Sequence, residues 1–277
     1  MSNPLMPLHA TNRDESPIIC IPGAGASVTA FIDFAGALGD QWPIYGLQPR
    51  GIDLSESPHE TVEDAALYNL NAVEYITTNR PIHLLGHSHG GLVAFEMALR
   101  LYEQGKPVAS LTLIDSEPPE PTESHMQHTD FSEILKDFVA VFEGTFEKRI
   151  HIRESIIESG QIHFYLHHLH AALARDKCIP PNSDPEMLLG PLLTFAAAVR
   201  SSYYPTTQYR GKVYLVLASI KLKNRPDDMM QPYAYAAKWR RLVADLHVWF
   251  GPGHHFSILQ PPQVYSVAKW WRESRYV

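Results

Sequence analysis

Five consecutive residues, Gly86-His87-Ser88-His89-Gly90, carry the densest chemical signal in the chain. A serine hydroxyl is a weak nucleophile until an imidazole takes its proton, and that imidazole needs a carboxylate to fix its tautomer and stabilise its charged form. Acyl transfer by serine, with a histidine and an acid supplied from elsewhere, is the chemistry these residue types suggest. The pentapeptide follows the apolar run Ile82 to Leu85 and opens a helix-period stretch from about His89 to Gln104. A serine at such a strand-to-helix turn projects its oxygen at the carboxyl edge of a sheet, and the flanking glycines let backbones approach where side chains would clash. The helix N-terminus behind it favours negative charge.

In this type of turn the partners follow in the order Ser, acid, His. Among fifteen histidines, His255 sits in Gly251-Pro252-Gly253-His254-His255-Phe256, after the last apolar run and before the last helix, where a loop can reach back over the sheet edge. His254 is its close competitor. Asp115 ends the run Val108 to Ile114, next after the nucleophile strand, which puts its carboxylate at the same edge as Ser88. A rival position follows the run Val213 to Ala218, where the first acids are Asp227 and Asp228. The oxyanion of acyl transfer needs fixed N–H donors. One is expected from His89, the residue after the nucleophile, and the other from Ala24 in the loop Pro22-Gly23-Ala24-Gly25-Ala26, with Gly23 as the alternative. That loop also resembles the start of a dinucleotide-binding turn, but its third glycine position is Val28 and the next strand ends in Gln48 where a ribose-binding acid is required. No cofactor site is expected.

Short apolar runs alternating with longer helix-period segments must position these residues, the pattern of a parallel sheet covered on both faces. Six strands are expected at Pro17 to Ile21, Trp42 to Leu47, Ile82 to Leu85, Val108 to Ile114, Val213 to Ala218 and Leu246 to Phe250, with Leu5 to Leu8 as a seventh at the edge. Helices are expected over Val62 to Thr78 with Thr61 as N-cap, over the stripe Leu92, Phe95, Leu99 and Tyr102, over Pro232 to Val243, and over Pro261 to Arg275. The fold class is therefore α/β, a mostly parallel central sheet of six or seven strands. The alternation breaks between residues 118 and 204, which read as a helical lid insertion within one domain spanning 1–277.

Composition narrows the partners. A net charge of -7 with no dense Lys/Arg block argues against a nucleic-acid surface. Two cysteines give neither a disulfide framework nor a CxxC metal pair, which suits a reducing cytoplasm. Neither a signal peptide nor a membrane span is expected from the N-terminus and the short apolar runs. His163, His167 and His170 share one helical face, but no Cys or carboxylate completes a metal set, so a polar face is expected. Lys221, Lys223 and Arg225 form a basic stretch read as a solvated loop, with contact to a phosphate or a carrier surface as the alternative. Tyr203, Tyr204 and Tyr209 suit either an acyl pocket or core packing.

Taken together, the stretches ICIPGAGA (19–26), YGLQPRG (45–51), TVEDA (61–65), LLGHSHGGLVAFEM (84–97), LTLIDSEP (111–118) and GPGHHFSIL (251–259) resemble the C-terminal type I thioesterase domains of nonribosomal peptide synthetases and polyketide synthases, members of the α/β-hydrolase superfamily. The resemblance implies that Asp115 is the triad acid and that the histidine before Phe256, His255, is the base. It implies a substrate delivered on the phosphopantetheine arm of an acyl or peptidyl carrier protein, no cofactor of the chain's own, and release by hydrolysis or macrocyclisation. A free-standing editing thioesterase and an ester hydrolase or lipase are the alternatives. Two departures stand out: His89 where an aromatic is common, and His254 where a small polar or acidic residue is common.

Overall fold

A computed structural model of the chain describes residues 3–11, 13–106, 108–119, 130–220 and 231–274. Strands β1 (Leu5–His9), β2 (Ile18–Ile21), β3 (Ile44–Leu47), β4 (Ile82–His87), β5 (Val108–Ile114), β6 (Tyr209–Ala218) and β7 (Val243–Gly251) form one seven-stranded sheet in the order β1-β3-β2-β4-β5-β6-β7. β1 runs antiparallel to β3, and every other pairing is parallel.

The period-2 rule decides what each face of the sheet buries. Ile19, Ile21, Leu84, Leu113 and Leu215 point to one side, where they pack with α2 (Val62–Asn79), α3 (His89–Glu103) and α8 (Gln231–Leu242). Their neighbours Ile18, Cys20, Leu85, Ile114 and Val216 point to the other, against α1 (Ile32–Leu38) and α9 (Gln263–Glu273). Helix α2 starts where Thr61 accepts a hydrogen bond from the Asp64 N–H at 3.1 Å, which satisfies one of the orphan donors of the first turn.

Between β5 and β6 the described residues include the α-helices α4 (Phe131–Phe146), α5 (Glu154–Ile157), α6 (Ile162–Arg175) and α7 (Leu189–Arg200). They enclose a third apolar cluster that includes Ile134, Phe138, Tyr165, Leu169, Leu192 and Phe195, with Ala24 packed against it. Among the described residues no helix is long and apolar enough to cross a membrane.

Some boundaries differ from expectation. β7 begins at Val243, directly after α8, instead of at Leu246, and β6 begins at Tyr209 instead of Val213. The two strands pair with each other along this extension, where the polar Lys212 and Asp245 interrupt the apolar pattern. Trp42 and Pro43 precede β3 without joining it, and α1 had no assignment because its apolar stripe is just Phe34, Ala35 and Leu38.

Candidate active site

Ser88 stands alone between the last residue of β4 and the first of α3, with φ 53° and ψ −129°. A non-glycine residue held at positive φ costs roughly 1–3 kcal/mol and persists only where its surroundings over-determine it. The surroundings here are glycines. A Cβ on Gly86 would land on the backbone of Gly90 and Gly91, and one on Gly90 would land on the carbonyls of Ile21 and Pro22. The serine is anchored from its other side as well, its N–H donating to the Ile114 carbonyl at 2.9 Å.

That carbonyl belongs to the residue before Asp115, so the Ser88 turn and Asp115 occupy adjoining strand ends. Asp115 is itself at positive φ, 46°, and its N–H donates to the Val216 carbonyl at 2.7 Å. Its carboxylate divides its work: Oδ1 accepts the Ala218 N–H at 2.8 Å, and Oδ2 accepts from His255 Nδ1 at 2.7 Å. Burial works to raise the Asp115 carboxyl, but the hydrogen bond and charge of His255 and the Ala218 N–H outweigh it and hold the group below the usual carboxylate range. With Nδ1 committed to Asp115, Nε2 is the His255 nitrogen left to exchange a proton.

His87 ties the His255 loop to the Ser88 turn. A carbonyl can only accept, so His87 Nε2 carries a proton and donates it to the His255 main-chain oxygen at 3.1 Å. The two rings lie 5.0 Å apart, tilted by 33°. Burial, followed by the neighbouring His255 charge, pushes His87 down to about 4. Sequence reasoning did not single out His87; a ring one residue before the nucleophile carries no local sign of which loop it will touch.

The loop 22–26 passes close to the serine: a Cβ on Gly23 would sit 3.1 Å from the Ser88 Cβ. Ala24 follows it, partly buried against the helices of the insertion. His89 is the first residue of α3, so its N–H is among those a helix leaves unpaired within itself. Its ring turns away to the insertion. Ser201, just past α7, spends its hydroxyl proton on the Ala198 carbonyl at 2.7 Å and so accepts from His89 Nε2 at 3.0 Å. Desolvation brings His89 down to about 4.

A profile of thioesterase domains matches residues 16–158, more than half of the chain. The chain belongs to the thioesterase domain family. Its relatives include the dimodular nonribosomal peptide synthase of Bacillus subtilis (strain 168), 36% identical over 114 residues that make up 41% of this chain and 5% of the relative. The thioesterase thus spans a small part of such synthases. Its fold matches part of a four-domain nonribosomal peptide synthetase bound to AMP and glycine, with TM-score 0.83, 19% identity, and coverage of 99% of this chain and 20% of that one. It also matches the type II thioesterase BorB of the borrelidin biosynthetic cluster, with TM-score 0.67, 19% identity, and coverage of 99% and 98%.

Other sequence expectations for the thioesterase resolve individually. Tyr203 and Tyr209 are core residues, the first donating to Glu96 at 2.7 Å and the second packed edge-on against Phe95 and Tyr102, while Tyr204 is exposed. Of the histidines expected on one face of α6, His163 pairs with Glu186 at 2.9 Å, but His170 is buried and bonded to Ser183, so the face is not uniformly solvated. No cluster of three or more metal-ligating side chains occurs among the described residues. The rival acids Asp227 and Asp228, and the basic stretch Lys221, Lys223 and Arg225, lie outside the described residues.

Proposed function

We propose that this thioesterase domain releases an acyl or peptidyl chain from the phosphopantetheine thioester of a carrier protein through an acyl-enzyme on Ser88. His255 is the general base and Asp115 the carboxylate that orients it. The observation that carries this reading is the 2.7 Å bond from His255 Nδ1 to Asp115, made at the sheet edge where Ser88 is held on its turn. In the first half-reaction His255 Nε2 takes the Ser88 proton as Oγ attacks the thioester carbonyl, and the N–H groups of His89 and Ala24 hold the oxyanion. The thiol, with an ordinary pKa near 8.5, departs with the proton returned by His255. In the second, water or a nucleophile within the acyl chain attacks the ester, giving an acid or a ring.

A carrier domain as partner is supported by the multidomain synthases among the relatives. Residues 118–204 serve as a lid, supported by the contacts of α4 and α7 with the loops around Ser88 and His255. Two free cysteines, one buried in β2, suit a cytoplasmic setting. The test is a panel of acyl and peptidyl thioesters on a carrier protein, with the enzyme and products followed by mass spectrometry. An acyl adduct on Ser88 and loss of turnover in Ser88→Ala are expected; release by Ser88→Ala at the wild-type rate refutes the assignment.

A further inference from the structure

The residues on either side of His255 are both held by the insertion. In the last turn of α4 the ring of Phe256 lies directly on Gly144, where even a methyl group would fall among the ring atoms. The same ring meets the His255 imidazole edge-on, with centroids 4.9 Å apart. On the other side, His254 is buried and reaches Glu147 Oε1 from Nε2 at 3.2 Å. Its Nδ1 accepts the Phe256 N–H at 3.3 Å, which places the proton on Nε2 and makes it the donor to Glu147.

Two local preferences are violated within four residues of the insertion. Gly144 stands inside a helix, where glycine is the poorest choice short of proline. Glu147 adopts a left-handed backbone, φ 51° and ψ 37°, just past the helix end, where glycine or asparagine is cheaper. Contact with the loop of His255 accounts for both: the missing side chain admits Phe256, and the costly residue supplies the acceptor for His254. A second fastening lies at the opposite end of the insertion, where Ser201 accepts from His89, the residue after the nucleophile. His89 and His254 are the two residues that departed from the family pattern, and each joins the insertion to one half of the site.

We propose that the insertion is a positioning element for the general base, seating Phe256 on Gly144 and His254 on Glu147 so that His255 meets Asp115 in register only while the insertion covers the site. The proposal rests on the reading of Ser88 and His255 given above. It makes covering the acyl chain and arming the base one event: an uncovered acyl-enzyme has no aligned imidazole to activate water. Gly144 and Glu147 act through His255 and touch neither substrate nor reacting atoms.

The test uses the whole chain, with the rate of Ser88 labelling by a fluorophosphonate and the kcat and KM for a thioester as readouts. Gly144→Ala improves α4 as a helix but crowds Phe256; it should lower labelling and kcat at least tenfold with KM within twofold. Gly144→Ala combined with Phe256→Leu, whose smaller side chain makes room, should recover most of that loss. Glu147→Gly relieves its backbone, so melting temperature should hold or rise while labelling falls about threefold or more. The proposal is overturned if Glu147→Gly labels at the wild-type rate, or if Phe256→Leu recovers nothing of the Gly144→Ala loss. An error in the reading of the nucleophile looks different: the wild type itself then takes no label on Ser88, or His255→Ala labels as fast as wild type.

Discussion

Replacing Asp115 by asparagine tests the triad at its most constrained point. The two carboxylate oxygens have different partners, the Ala218 N–H at 2.8 Å and His255 Nδ1 at 2.7 Å. An asparagine that keeps its oxygen on Ala218 presents its NH2 to His255. Nδ1 must then accept, the ring proton moves to Nε2, and His255 can no longer take the proton of Ser88. Flipping the amide restores the tautomer but sets two donors face to face at Ala218, at a cost of about 1–3 kcal/mol for an unsatisfied buried N–H. The imidazolium formed in the transition state also loses a hydrogen bond to a charged partner, about 1.5–3 kcal/mol. Together these come to about 2.5–6 kcal/mol, a fall in kcat of roughly 10²- to 10⁴-fold at about 1.4 kcal/mol per decade. Thiol release from a model thioester measures kcat, and fluorophosphonate labelling of Ser88 checks that the nucleophile itself is intact. Turnover by Asp115→Asn within tenfold of wild type, in a protein that melts normally, would refute the tautomer argument and move the acid elsewhere.

Gly90→Ala should unfold the turn or abolish labelling, since its methyl has no room against the carbonyls of Ile21 and Pro22 and an overpacked backbone typically costs 1–3 kcal/mol or more; thermal melting and labelling together report it. Stability should fall with pH between about 6.5 and 4, because the unfolded chain binds protons at His87 and His89 there while the folded chain, with both groups near 4, does not. The full shifts would amount to about 3 kcal/mol each, but both rings are only half-buried, so on the order of 1–2 kcal/mol each is expected. Urea unfolding across this range should be flatter for His89→Phe than for wild type, and identical slopes would contradict the placement of that ring.

The strands and the nucleophile turn could be read directly from the chain because both are short-range patterns. Ile18 to Ile21 is a continuous apolar run, and Ile82 to Leu85 is broken only by His83, which is buried against Ser110, since a strand inside this sheet is buried on both faces; Gly86 and Gly90 flank Ser88 since the turn leaves no room for Cβ atoms. β7 extends beyond its apolar run because the polar Asp245 interrupts its start, and a strand bonded to one neighbour tolerates that. The insertion was recognisable as helical, yet nothing in its periodicity says which loops its helices would touch.

Position along the chain put the Ser88 turn first and offered two imidazoles from the loop 251–256, after the last strand and before the last helix, leaving His254 and His255 to be told apart by resemblance. Tertiary structure decided where each ring goes: His255 to Asp115, 140 positions away, and His254 to Glu147, 107 positions away. The physical reason is range. A clash at a tight turn or an alternating burial pattern is a property of a few consecutive residues, whereas the partner of an imidazole depends on how separate layers dock, and that docking is encoded by the packing of the whole core.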